Sequence, residues 1–276
     1  GDPGRGPPSP ADRVGDQCHA VREVRRRGSR DAPGALSGAT EGPLMPLSRR
    51  TFLQGSAAAA GVAAAGALPG SLGIARADLS PSSAEVILDG HPIASAIRPS
   101  AIEHLAILPG GMALASADLA LSDVKGRETV LKAALASVRP TYDIIILDCP
   151  PSLGLLTVNA LTASNFFIIP LTPDYLALEG LVNLMEAVER IRAGIGHVAE
   201  LLGILLTLCD YRLNATNEII AMIRGHYGRK VFKTEIRGSV RLKEAPSFGK
   251  SIFDFAPHSS GAESYALLAK EILKLI

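Results

Sequence analysis

The stretch of this sequence best suited to chemistry is Asp143-Ile144-Ile145-Ile146-Leu147-Asp148-Cys149-Pro150-Pro151-Ser152. A run this short and this branched reads as a strand buried on both faces, and it delivers Asp148 to the strand's carboxyl end. In open α/β sheets ligands bind at that end. A lone carboxylate there can hold a water on Mg²⁺ beside a nucleotide, which is Walker-B logic. It can equally cap the following turn, and these residues alone leave both roles open.

A second candidate is electrostatic. Residues 206–250 hold nine basic side chains (Arg212, Arg224, Arg229, Lys230, Lys233, Arg237, Arg241, Lys243 and Lys250) against four acidic ones. Such a window can neutralise phosphates, or it can be a solvated face without a ligand. Other chemistries find little support. Cys149 and Cys209 read as small apolar residues near strand ends, and Cys18 stands far from both. No Cys/His pair has metal-ligand spacing, and His91, His104, His197, His226 and His258 are scattered.

The elements that must position these groups follow from the apolar pattern. Further short runs at Leu105–Leu108, Phe166–Ile169 and Ile204–Leu206, with a more mixed one at Val231–Ile236, predict strands. Amphipathic helices separate them: one after an N-cap at Thr172 with Pro173 at the first position, one from about Thr216, and one carrying Tyr265, Leu268, Ile272 and Leu275. Strands alternating with helices predict a doubly wound, mostly parallel α/β sheet. The 276 residues carry 28 basic and 27 acidic groups, 47% hydrophobic and 4% aromatic residues and 3 Cys. This balance excludes a wholly disordered chain, a disulfide scaffold, a chain-wide basic nucleic-acid binder and a base-stacking platform.

Three segments differ sharply. Residues 1–44, with 8 Gly, 6 Pro and seven Arg, read as a disordered tail. In residues 45–77, Ser48-Arg49-Arg50-Thr51-Phe52-Leu53-Gln54 precedes the uncharged Ala/Gly-rich run Gly55 to Gly73 and the small-x-small triplet Ala75-Arg76-Ala77. That order resembles a twin-arginine export signal with cleavage after Ala77, too weakly apolar for an integral membrane span. Residues 78–276 are the part expected to fold.

Within that part the motifs fall into a collinear series. Asp143 to Gly154 resembles the post-Walker-B signature of the ParA/Soj family of chromosome- and plasmid-partitioning ATPases. Asn159-Ala160-Leu161, Ala177-Leu178-Glu179-Gly180-Leu181, Val240 to Lys250 and Gly261-Ala262-Glu263-Ser264-Tyr265 come after it in order. Upstream, Ala96-Ile97-Arg98-Pro99 and Leu108-Pro109 match the region between that family's two phosphate-site motifs. The resemblance implies a P-loop fold that forms a homodimer around Mg-ATP, binds DNA without sequence preference and is stimulated by a ParB-like centromere-binding protein. It assigns Asp148 to the Mg-bound water and Arg212 and Arg241 to DNA contacts, with Arg224, Lys243 and Lys250 on the same basic surface. It puts Pro150 and Arg237 near the nucleotide, although Arg237-Gly238-Ser239 replaces the Pro-Arg-Asn found in many members.

One departure outweighs these matches. A phosphate loop needs a Gly-rich turn after a strand, a Lys on the β/γ charge and a Ser/Thr on Mg²⁺, yet the first Lys is Lys125. The glycines of Gly55 to Gly73 have no Lys after them and no expected strand before them, and the second, acidic-motif strand is missing too. The fold is therefore expected to be N-terminally incomplete, with Ile144–Leu147 lacking ladder partners, and ATP binding and hydrolysis are expected to fail. A nucleoid-associated cytoplasmic protein and an export signal also conflict. Three readings stand: a partition protein with a defective N-terminal region, a non-catalytic DNA- or partner-binding module, and an exported protein of unrelated role.

Overall fold

Every backbone N–H and C=O in a central strand needs a partner, and the sheet is organised around meeting that need. The computed structural model describes residues 19–22 and 51–54 as backbone, and residues 79–100, 102–150 and 152–276. The run Gly55 to Gly73, the triplet Ala75-Arg76-Ala77 and Pro151 lie outside the described residues.

Among the described residues the sheet has seven strands: β1 (His19–Arg22), β2 (Thr51–Gln54), β3 (Arg98–Pro99), β4 (Leu105–Leu108), β5 (Ile144–Asp148), β6 (Phe166–Leu171) and β7 (Glu200–Leu206), ordered β3-β4-β2-β5-β1-β6-β7. β2 is parallel to both β4 and β5, and β6 is parallel to β7. β1 runs antiparallel to β5 and β6, and β3 antiparallel to β4. The expected strands at 105–108, 144–147, 166–169 and 204–206 are all present. Val231–Ile236 is not a regular strand. It touches β7 through an isolated bridge from Val231 to Ile204, and Phe232 and Ile236 donate backbone N–H bonds to Ile204 and Leu206.

Two expectations are corrected here. β5 was expected to lack neighbours, and residues before Gly55 were expected to contain no strand. Instead β2 and β1 flank β5 on either side, one from the twin-arginine segment and one from the stretch read as a tail. Neither tetrapeptide has enough apolar periodicity to announce a strand; the open ladder edges of β4, β5 and β6 select them.

Helices cover both faces, and alternation along the strands sorts the core accordingly. Ile145, Leu147, Phe167, Ile169, Leu171, Ile204 and Leu206 enter one cluster, while Ile168 and Leu205 face the other way onto Phe232, Ile236 and Leu268. Among the described residues the α-helices are α1 (Ser83–Leu88), α2 (Ile93–Ala96), α3 (Ala117–Ala120), α4 (Val130–Ala136), α5 (Leu155–Ala163), α6 (Tyr175–Ile195), α7 (Asn214–Tyr227), α8 (Val240–Glu244), α9 (Ile252–Phe255) and α10 (Ser260–Leu275). α1 starts with a capping box: Ser82 accepts from Ala84 N–H while Glu85 accepts from the Ser82 backbone at 2.9 Å. Hydrogen bonding from the Ser82 hydroxyl lowers the Glu85 carboxyl to about 2. The N-cap of α6 is Asp174, two residues beyond the expected Thr172, because a carboxylate suits the positive helix end better. Thr172 instead donates its hydroxyl to Asp174 at 2.6 Å.

Gly203 in β7 lets Phe232 lie against the sheet, since a Cβ there would meet the ring at 2.7 Å. α10 closes this face, and Glu271 accepts the backbone N–H groups of Lys233 and Thr234 at 2.7 and 2.9 Å.

Removing residues 1–54 strips β5 of both neighbours. The shortened chain is expected to lose its cooperative thermal transition by circular dichroism; a sharp transition within a few degrees of the full chain's would show that β1 and β2 contribute little.

Candidate functional site

β5 carries Asp148 to its carboxyl end, and the loop beyond it is held partly by Asp118, which no motif singles out. Asp148 ends the strand half-buried, with Cys149 and Pro150 next in the chain. The turn then enters α5, whose first N–H groups need acceptors. Asp118 of α3 supplies one: its Oδ1 accepts from Leu155 N–H at 2.8 Å. Gly154 makes room for this, since a Cβ there would stand 2.5 Å from Asp118 Oδ2. Thr157 ties the same turn down, donating to the Ser152 carbonyl at 2.6 Å. No sequence signal marked Asp118; its partner is 37 residues away and only the fold brings them together.

Asn159 explains why its motif tolerates a polar residue in the core. It is fully buried, accepts from Leu131 N–H at 3.1 Å and donates to the carbonyls of Arg127 and Leu155 at 2.6 and 3.0 Å. Thr162 adds a bond to the Glu128 carbonyl at 2.6 Å. These bonds fasten the start of α4 to α5, and so brace the loop after Asp148 from behind.

Around the end of β7 the basic candidates separate. Arg212 is exposed and forks onto Asp210, with Nε to Oδ1 at 2.8 Å and Nη2 to Oδ2 at 2.5 Å. These hydrogen bonds hold the Asp210 carboxyl at about 2. Arg237 lies over the Tyr211 ring at 4.9 Å, a cation–π contact that spans the same loop. Leu208 in this loop adopts left-handed backbone with φ of 54°. Arg241 on α8 is exposed and pairs with Glu244 at 3.0 Å; Lys243 and Lys250 are also exposed.

Arg224 differs in kind. It donates to the Phe232 carbonyl at 3.1 Å and to Glu235 at 2.6 Å, which ties α7 to the segment beside β7. Burial raises the Glu235 carboxyl despite the neighbouring Arg237 charge. Burial, reinforced by Glu235, pushes the Cys209 thiol up to about 11, so Cys209 stays protonated and unreactive. Among the described residues no cluster of three His, Cys, Asp or Glu side chains is placed to hold a metal ion.

This architecture has clear relatives. The sporulation initiation inhibitor protein Soj of Bacillus subtilis is 42% identical over 201 residues, spanning 73% of this chain and 79% of that protein. The chromosome partitioning protein ParA of Myxococcus xanthus is 38% identical over 203 residues, spanning 74% and 72%. The chain belongs to the ParA/Soj family.

A family model described as an AAA domain matches residues 64–198, and one for the twin-arginine translocation pathway signal sequence matches residues 46–69. Among solved structures, cobyrinic acid a,c-diamide synthase from Mycobacterium smegmatis with bound ADP and magnesium is 30% identical, with a TM-score of 0.66 over 82% of each chain. Cyanothece McdA without ligand, at 20% identity, shares the fold with a TM-score of 0.70 over 82% of this chain and 87% of that one.

Asp148 and its braced loop are at the right end of the sheet. β2 is parallel to β5, so the chain leaves it at this same end, with Gln54 level with Leu147; a strand does precede the glycines, contrary to expectation. The residues directly after β2 are Gly55-Ser56-Ala57-Ala58-Ala59-Ala60-Gly61, without Lys. β1 runs the other way and leaves at the opposite end. Gly249-Lys250-Ser251 reproduces the last three residues of a phosphate loop, but Glu244 stands where its first Gly belongs and no strand precedes it. Ser251 is committed to Asp254, accepting from its N–H at 3.2 Å. In the sequence no residue before Lys125 is a Lys that could meet the phosphates of Mg-ATP.

Asp118→Ala and Gly154→Ala should each lower stability by about 1–2 kcal/mol, the first by removing a cap and the second by pushing the carboxylate off it. In a double-mutant cycle by urea denaturation the two effects should be well short of additive, because both act on one hydrogen bond; full additivity would show that Asp118 does not cap α5.

Proposed function

We propose that this chain acts as a partition-type protein of the ParA/Soj family that engages DNA through its basic surface and a ParB-like protein as partner, without a working Mg-ATP site in this sequence. The observation that carries this reading is the pairing of an intact, braced Asp148 loop with strands β1 and β2 that bring no phosphate-gripping Lys. ATP-driven homodimerisation and hydrolysis, which the family resemblance implies, have no Lys to grip the γ-phosphate in this reading. Asp148 and Pro150 then serve as turn and strand-end residues. Arg237 stays on Tyr211 in place of an adenine ring.

Arg212, Arg241, Lys243 and Lys250 are the residues proposed to meet phosphates. Their exposed ion pairs to Asp210 and Glu244 cost little to exchange, because such pairs contribute little in water. Arg224 is assigned to holding α7 in place. A second reading, an exported protein, is favoured by the signal match over residues 46–69. Among the described residues no helix is long and apolar enough to cross a membrane.

Calorimetric titration of the full chain with Mg-ATP is expected to give no saturable heat; micromolar binding would overturn the claim about the phosphate site. In fluorescence anisotropy with duplex DNA, Arg212→Ala and Arg241→Ala should each weaken binding about 3- to 10-fold and reduce the log–log salt slope by about 1, with or without ATP. Arg224→Ala should lower the melting temperature and leave the salt slope unchanged. Unaltered DNA binding in the first two variants would count against the basic surface.

A further inference from the structure

The stretch that reads as an export address is also a strand of the central sheet. β2 comes directly after Arg49-Arg50 and lies within the signal match of residues 46–69. The AAA-domain match begins at residue 64, so signal and domain share residues 64–69 and do not meet at a linker. β2 is no edge strand. Thr51 is level with Leu105 on one side and Ile144 on the other, and Gln54 with Leu108 and Leu147.

Withdrawing β2 would open ladder edges on β4 and β5 together. Those strands carry Leu108, Ile145 and Leu147, which are 0%, 3% and 1% exposed. Unpaired backbone on two strands of the core is a severe cost, so β2 leaves only when the sheet opens. A twin-arginine signal works as a receptor-read address, and a receptor reads an accessible segment. Extended backbone bonded on both sides is not accessible.

We propose that folding of the sheet conceals Thr51–Gln54 of the twin-arginine segment, so that the folded chain is retained where it is made and only chains whose β2 lies outside the sheet can be exported. The device rests on the register of β2 and on the signal match, and is independent of DNA or nucleotide binding.

Trypsin tests it directly. Cleavage at Arg50–Thr51 requires several residues on both sides to lie extended in the protease, which β2 forbids while it is paired. In the full chain this bond should be cut at least ~100-fold more slowly than in a synthetic peptide of residues 45–60, and Leu53→Pro should bring the rate to within ~10-fold of the peptide's. Cleavage of the unaltered chain at the peptide's rate, with its far-ultraviolet circular dichroism intact, would overturn the proposal. Because Leu53→Pro could unfold more than β2, an export assay without variants stands beside it. Residues 45–77 fused to a folded reporter should reach the periplasm of a bacterium with a twin-arginine translocase, while the full chain stays in the cytoplasm. Failure of the reporter to leave, or export of the full chain with Asp78 as its new N-terminus, would each sink it.

Discussion

The backbone of β5 must be hydrogen-bonded on both sides, and the distinctive features of this molecule trace to how that need is met. β5 is the strand that ends in Asp148, and its inward residues Ile145 and Leu147 are buried in the main core. A strand so placed cannot present an edge to water without exposing both apolar surface and unpaired amides. Its neighbours β2 and β1 come from residues that otherwise read as export signal and tail. Their pairing gives β5 a partner on both sides, and neither tetrapeptide contains a Lys. Direction matters here as much as position: antiparallel β1 ends with Arg22 level with Ile145, away from Asp148, and parallel β2 ends with Gln54 level with Leu147.

The loop beyond Asp148 is held independently of any nucleotide. Asp118 caps α5 from a separate helix, Gly154 clears its path, and Asn159 locks α5 to the start of α4 with three hydrogen bonds from a fully buried amide. The Asp143 to Gly154 motif therefore has structural duties of its own in this chain.

Nine cations in residues 206–250 look like one electrostatic feature in the sequence, but the structure divides them by work. Arg224 is spent on Glu235 and a backbone carbonyl, Arg237 lies over Tyr211, and Arg212 and Arg241 keep exposed guanidinium groups with only short-range acidic neighbours. Only the latter kind can exchange partners for phosphate at small cost.

The residues alone determined the parallel α/β character, the four aliphatic strands, the three long helices and the place of Asp148, because continuous branched runs and 3.6-residue periodicity are local signals. They also show that no Lys precedes Lys125 in this sequence. Tertiary structure decided what local signals cannot carry. His19–Arg22 and Thr51–Gln54 become strands because open ladder edges accept them, and Val231–Ile236 stays irregular because it meets β7 only at scattered bonds. The Asp118 cap and the commitment of Arg224 likewise depend on partners distant in sequence or outside its periodicity. Such contacts arise from which surfaces are left unsatisfied once the chain has folded, and no tetrapeptide or single side chain encodes that by itself.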